Sequence, residues 1–408
     1  MRRVSINRRV VLAEDTFPKF RLNSPPGGWF PALQELSWRI TESNLPYADL
    51  FISPHLERVS ISMLPSWRDP EVPHDVLQAA ALTISTLPGS ALRRLDVDIS
   101  LPWTYFKDPL SSLVLRCGSS LTEFTSPIPL SDEAVNHLIQ LPHLLTWHTK
   151  YPPPSYSTLS LPPVFPPLTE FTLGGGAVSG WFSLFERLEH SVSATQGVTP
   201  LSQVKESLKC LNVDHHPGPI INVTLTSTIQ MFRNLVRLNV ETQCYDINDA
   251  GQCVFNLNDE DVTKLAMALP RLECLVLGRP CSENTCVTTV GCLLQISVHC
   301  VKLQELQVHF NTANLVGDLK KISKDPKLQE LLSCPRCTLS RLDVYQIPLI
   351  LDAPGLETVV SGMIDIFPHL ERCNGLDEMW GDVSEGIMEF SMVRTPCSLG
   401  FLLHLTYP

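Results

Sequence analysis

Charge is scarce in this chain. Of its 408 residues only 18% are Asp, Glu, Lys or Arg, and they sum to −11. A protein that tracks nucleic-acid phosphates needs a basic face, as does one held on an anionic membrane surface, so neither partner is expected. Aromatic residues are also few, at 7%. No stretch approaches the roughly 18 uncharged apolar residues of a membrane helix. Behind Met1, Arg2 and Arg3 come Arg8, Arg9, Glu14 and Asp15 with no apolar run, so no secretory leader is expected. The phosphate-loop pattern G-x-x-x-x-G-K-[ST], the nucleophile elbow G-x-S-x-G and the zinc pattern H-E-x-x-H are all missing. No enzyme activity, cofactor or metal is therefore expected. The 13 cysteines are odd in number and scattered. In a cytoplasmic or nuclear protein, the expected placement, they would be reduced and mostly buried. The sequon Asn222-Val223-Thr224 would then go unused.

Proline and leucine are what the chain has in excess. Eight times a proline is followed two residues later by leucine and three after that by an apolar residue, as in Pro31-Ala-Leu33-Gln-Glu-Leu36 and Pro270-Arg-Leu272-Glu-Cys-Leu275. Chance would give about two such windows, so the pattern is an internal repeat. The wider motif places apolar residues at positions 1, 4 and 6. Nine copies are clear, beginning at Leu33, Leu56, Leu92, Leu168, Leu208, Leu235, Leu272, Leu303 and Leu339; weaker copies begin at Leu121, Leu144 and Leu370. Positions 4 and 6 alternate with polar residues, which predicts a short strand with one buried face.

Helical spacing lies between these strands. Ser131-Asp132-Glu133 and Asn258-Asp259-Glu260-Asp261 each put a capping side chain and first-turn acids ahead of apolar residues spaced by 3 and 4. Weaker helices are expected from about Asp75 to Thr86, Trp181 to Ser193, Val287 to Val298 and Glu357 to Ile366. Strand, loop and helix with L-x-x-L-x-[LV] is the grammar of a leucine-rich repeat. The expected fold is an α/β leucine-rich-repeat solenoid, parallel strands on the concave face and helices on the convex face. An ordinary α/β domain with leucine-rich strands is the alternative. The Asn or Cys usual at the ninth position is absent from most copies, so the turns should lack its polar ladder and be irregular. The expected organisation is an irregular segment over 1–25, the array over 26–390 and a cap or tail over 391–408.

Several local patterns suggest chemistry and have plainer readings. Gly174-Gly175-Gly176-Ala-Val-Ser-Gly180 lies between a strand and a helix, but its spacing is not that of a dinucleotide loop; it reads as a turn. Asp246-Ile-Asn248-Asp-Ala-Gly251 lacks the glutamate that closes a calcium loop. Cys334-Pro-Arg-Cys337 has no second ligand pair. His215-His216 beside Pro217 reads as a loop.

The segment from Ser120 to Leu144, together with Phe51-Ile-Ser-Pro-His-Leu56 and Leu339-Ser-Arg-Leu-Asp-Val344, resembles the repeat region of the fungal F-box/leucine-rich-repeat proteins. The resemblance spans roughly Pro26 to Trp380. It implies substrate recognition in a ubiquitin ligase of the Skp1–cullin–F-box type, with the array holding the target. Residues 1–31 show no leucine-rich helical F-box: Leu12, Phe17, Phe20 and Leu22 are scattered around Pro18, Pro25 and Pro26. Skp1 is therefore an expected partner only if an F-box lies upstream. The alternative is an interaction scaffold unconnected to ubiquitin. In both cases the partner is a protein, and the residues beside positions 4 and 6 should meet it on the concave face: Asp96, Asp98, Asn212, Asp214, Asn239, Glu241, Gln307, His309, Asp343 and Tyr345. That set is acidic, which would steer a basic segment toward it.

Overall fold

A computed structural model describes residues 3–6, 16–23, 29–63, 72–99, 102–149, 165–174, 185, 202–215, 227–242, 257–278, 288–308, 310–332, 337–344, 351–375 and 378–394. The chain divides into two compact units, Met1–Tyr245 and Asp246–Pro408.

The first unit carries nine described strands: β1 (Arg3–Ile6), β2 (Glu35–Arg39), β3 (Arg58–Met63), β4 (Arg94–Ile99), β5 (Glu123–Ser126), β6 (Thr146–Thr149), β7 (Glu170–Gly174), β8 (Cys210–His215) and β9 (Arg237–Thr242). Each pairs in parallel with the next along the chain. Its helices are α1 (Thr16–Leu22), α2 (His74–Thr86), α3 (Lys107–Arg116), α4 (Asp132–Ile139) and α5 (Ser202–Ser207), with a 3-10 segment over Leu45–Phe51. In the second unit β10 (Cys274–Leu277), β11 (Glu305–Val308), β12 (Arg341–Val344) and β13 (Arg372–Asn374) are likewise parallel and consecutive. There the helices are α6 (Asp259–Ala268), α7 (Val290–His299), α8 (Leu315–Lys324), α9 (Pro326–Leu332), α10 (Ala353–Ile366) and α11 (Glu378–Arg394). Parallel neighbours need a crossover, and the helices lie in those crossovers.

All twelve motif copies carry strands, β2 to β13 in order, with the apolar positions buried and the residues between them turned outward. β1 has no motif copy; its register on β2 pairs Val4 with Leu36 and Ile6 with Trp38. The first motif leucine closes a tight turn. The N–H of Leu33 donates to the Phe30 carbonyl at 3.0 Å, Leu56 to Ser53 at 3.2 Å, Leu272 to Leu269 at 3.2 Å and Leu370 to Phe367 at 3.1 Å. Pro31, Pro54, Pro270 and Pro368 thus sit second in a four-residue turn, where the ring's fixed φ is preorganised and no N–H is required. Copies without proline close the same bond: Leu92 to Gly89, Leu121 to Gly118, Leu235 to Phe232 and Leu303 to Cys300. Three of the eight proline windows behave otherwise: in one, the Leu168 N–H donates to the Pro166 carbonyl at 2.8 Å, closing a three-residue turn. Pro326 opens α9 and Pro354 lies in the first turn of α10, because proline's missing N–H is equally harmless there.

The turns are more regular than the missing ninth-position Asn leads one to expect. A different ladder replaces it. The hydroxyl just before the motif leucine donates to the preceding copy's leucine carbonyl: Ser120 Oγ to Leu92 at 2.9 Å, Ser207 Oγ to Leu168 at 2.7 Å and Thr338 Oγ1 to Leu303 at 3.4 Å. One carbonyl per joint also receives two successive N–H groups of the next copy, as Glu57 O does from Arg93 and Arg94. Buried carbonyls that would otherwise cost free energy are thereby satisfied.

Two helices start where their capping side chains indicate. Ser131 Oγ accepts from Ala134 N, and Asn258 forms a capping box with Asp261. Helix α2 ends against α3: Arg116 Nη2 donates to the Ser85 and Leu87 carbonyls at 2.5 and 3.1 Å. The expected helix over 181–193 lies outside the described residues except Phe185, which is buried. Residues 395–408, the last part of the expected cap or tail, also lie outside them.

Candidate functional site

A sheet with one buried face leaves the other open, and the in-register pairing aligns its outward side chains into rows. In the first unit the row nearest the strand starts runs Glu35, Arg58, Arg94, Glu123, then Thr146, Glu170, Cys210 and Arg237. The next row runs Ser37, Ser60, Asp96, Thr125, then His148, Thr172, Asn212 and Asn239.

Neighbours along the rows are bonded. Ser60 Oγ donates to Asp96 Oδ2 at 3.2 Å, and Asn212 Nδ2 donates to Thr172 Oγ1 at 3.1 Å. Asn239 Nδ2 donates to Glu241 Oε1 at 3.0 Å. Arg94 pairs with Glu123 at 3.2 Å. His148 Nδ1 is 3.5 Å from Thr125 Oγ1. Its Nε2 lies 3.2 Å from Glu170 Oε1, an ion-pair distance without hydrogen-bond alignment.

The candidate partner residues fall into separate groups. Asp96 and Asp98 both face outward on β4, with Asp98 the more exposed. On β8 and β9, Asn212 is in register with Asn239 and Asp214 with Glu241; β5, β6 and β7 separate these from β4. In the second unit Gln307 is in register with Asp343. Asp343 accepts from Asn374 Nδ2 at 2.7 Å and pairs with Arg341 at 3.0 Å. His309 and Tyr345 lie outside the described residues. The sequence reading passed over Ser37, Ser60, Thr125, His148 and Thr172, and with them the row of Arg58, Arg94 and Arg237. Strand period alone would have found them: the first five share the motif position of Asp96, Asn212 and Asn239, and the arginines lie two residues before it. With the arginines counted, cations are interspersed among the acids on the first unit's open face.

A cavity of about 240 Å³ opens on this face over β2, β3 and β4, lined by Glu35, Leu36, Ser37, Arg58, Val59, Ser60 and Arg94.

Among the described residues the thiols take no part in this surface, with the exceptions of Cys210 and Cys274. Cys117, Cys300, Cys337 and Cys373 are buried and free, and Cys292 is buried. Burial pushes the Cys117 and Cys300 thiols up to about 12 and the Cys337 thiol up to about 11; the thiol of Cys373 is raised as well. On the open face Cys210 is raised by partial burial and by the charge of Glu170. The thiolate is the nucleophile, so at pH 8 the native protein should leave Cys117, Cys300 and Cys337 unalkylated by iodoacetamide, while urea-unfolded chain is labelled at all three. Peptide mass spectrometry reads the difference, and equal labelling rates in both states would contradict it. Among the described residues no cluster of three or more His, Cys, Asp or Glu could hold a metal. Cys334, Cys281, Cys286, residues 175–180, residues 246–251 and His216 lie outside them. Among the described residues no helix is long and apolar enough to cross a membrane.

No protein-family model matches this chain, and no curated protein matches it.

Proposed function

We propose that the chain is a leucine-rich-repeat array that binds a protein on its open sheet face. One observation carries this reading: twelve copies of L-x-x-L-x-[LV]-like sequence coincide with twelve short parallel strands that bury the motif positions and present what lies between. A surface of this kind, polar, preformed and many strands wide, suits recognition of an extended partner surface. Among the described residues it gathers no nucleophile with a base and no ligand set, so binding is favoured over catalysis.

The resemblance to F-box/leucine-rich-repeat proteins makes substrate recognition for a Skp1–cullin–F-box ligase the specific form of the proposal. An interaction scaffold outside ubiquitination is the alternative. Two measurements separate them. Affinity capture with the wild-type chain and with Asp96→Lys/Asp98→Lys should show a partner lost from the doubly reversed face, at least about tenfold weaker in titration. A partner set unchanged by that reversal would remove Asp96 and Asp98 from the site. Purified Skp1 mixed with the full-length product of the gene should co-elute if the ligase form holds; absence of co-elution leaves the scaffold form.

A further inference from the structure

The cavity over β2–β4 has a charge and a set of donors of its own. Its floor is the backbone of Leu36 and Val59, whose side chains are buried on the other face of the sheet. Its walls are polar: Glu35, Ser37, Arg58, Ser60 and Arg94. Two cations and one anion give it a net charge of +1 in a chain of −11. Among the described residues the Arg58 guanidinium has no hydrogen-bond or ion-pair partner, and neither does the Ser37 hydroxyl beside it. Arg94 is engaged only at its outer edge, by one contact of 3.2 Å to Glu123, with both side chains about half exposed. An exposed pair of that kind contributes little and exchanges readily. The Ser60 hydroxyl is already used, donating to Asp96.

A guanidinium presents a planar fork of donors that matches a carboxylate. Arg58 and Arg94 are register partners on adjacent strands, so their backbones stand about 5 Å apart. That spacing lets both reach one carboxylate, with Ser37 as a third donor. One monoanion brings the cavity to neutrality.

We propose that this cavity seats a Glu or Asp carboxylate of the bound protein, so that the partner segment crossing β2–β4 is acidic. The proposal rests on the reading of the open face as a protein-binding surface and adds the chemistry recognised at one end of it. It also places a cationic seat beside the acids Asp96 and Asp98, so the face discriminates along its length.

The test uses a fluorescein-labelled hexaglutamate peptide and the full chain, by fluorescence anisotropy at low salt. The hexaglutamine peptide serves as control. Glutamate binding should exceed glutamine binding and weaken with added salt. Arg58→Gln/Arg94→Gln should reduce it by about tenfold or more. Arg237→Gln, on the same row but five strands further along, should leave it unchanged. Circular dichroism establishes that the double variant is folded. Should the double variant fail to fold, Arg58→Gln alone carries the test, since that side chain has no partner to lose. Hexaglutamate binding that is equal to hexaglutamine binding, absent, or indifferent to Arg58 and Arg94 overturns the carboxylate seat. If captured partners still depend on the open face in that case, the binding-array reading stands and only the seat has failed.

Discussion

Replacing Phe171 by alanine should cost the first unit about 3–5 kcal/mol, the range for a large aromatic removed from a packed core. The ring is 1% exposed. It stands 5.6 Å from Trp147 and 5.8 Å from Phe185, centroid to centroid, and Phe185 continues to Phe165 at 6.0 Å and Phe232 at 5.5 Å. Rigid rings flank the vacated space, so it cannot collapse as a site lined by flexible side chains would. The loss includes an edge-to-face contact to Phe185, worth about 0.5–1.5 kcal/mol beyond its area. Against a total of about 5–15 kcal/mol for a domain, this is a large share. Urea unfolding followed by circular dichroism should show a lower midpoint with little change in slope. Hydrogen exchange should show protection lost first in β6, β7 and β8, the strands that hold or neighbour the column. A change below about 1 kcal/mol would mean the column is not a packed core.

Trp380→Ala should be comparably severe, about 3–5 kcal/mol, for a different reason. Helix α11 lies against β13, the last described strand. Trp380, 1% exposed, packs so closely on Gly375 that an added β-carbon there would lie 2.3 Å from the indole Cδ1. Ser384 of the same helix accepts the Cys373 N–H at 3.3 Å, satisfying a donor of β13. Losing the indole should loosen α11 and bare that strand, and an open strand edge invites association. The variant should therefore melt lower and scatter light on heating. Trp380→Phe separates packing from polarity. The indole N–H is buried without a partner, so removing it costs no hydrogen bond, and the substitution should cost less than about 1.5 kcal/mol. Equal effects from the Ala and Phe variants would argue against a packing role.

The strands were legible because burial at positions 4 and 6 imposes a period that few other arrangements produce. Even the weak copies at Leu121, Leu144 and Leu370 became strands. The helices were legible where a capping side chain announced them, at Ser131 and Asn258. Some without a cap were missed, although α2, which also lacks a cap bond, was read from its apolar spacing. Helix α3 begins after Phe106 and α8 after Asn314, neither with a side-chain cap bond, although Leu110, Leu113 and Val114 in one and Leu315, Leu319 and Ile322 in the other carry helical spacing. Strand β1 went unread because four residues, Arg3–Ile6, hold too short a pattern to distinguish. On the open face, reading positions 5 and 7 alone gave an acidic surface. Position 3 supplies Arg58, Arg94 and Arg237, and the cavity depends on two of them. That the Arg58 guanidinium and the Ser37 hydroxyl line one cavity is a matter of register between copies. No single copy contains it.

The tight turn and its shared carbonyl have a consequence for what the open face can read. From Leu33 to Leu56 the chain spends 23 residues and from Leu168 to Leu208 it spends 40, yet each copy delivers one strand. The sheet is a ruler: its graduations are about 4.8 Å apart however much chain is looped out between them. A helix laid across the strands advances about 5.4 Å per turn and stays within half a graduation for about four strands. An extended segment advances about 6.8 Å between side chains on one side and slips out of phase after one. Within the first unit, a helix would therefore keep phase with more strands than an extended segment would.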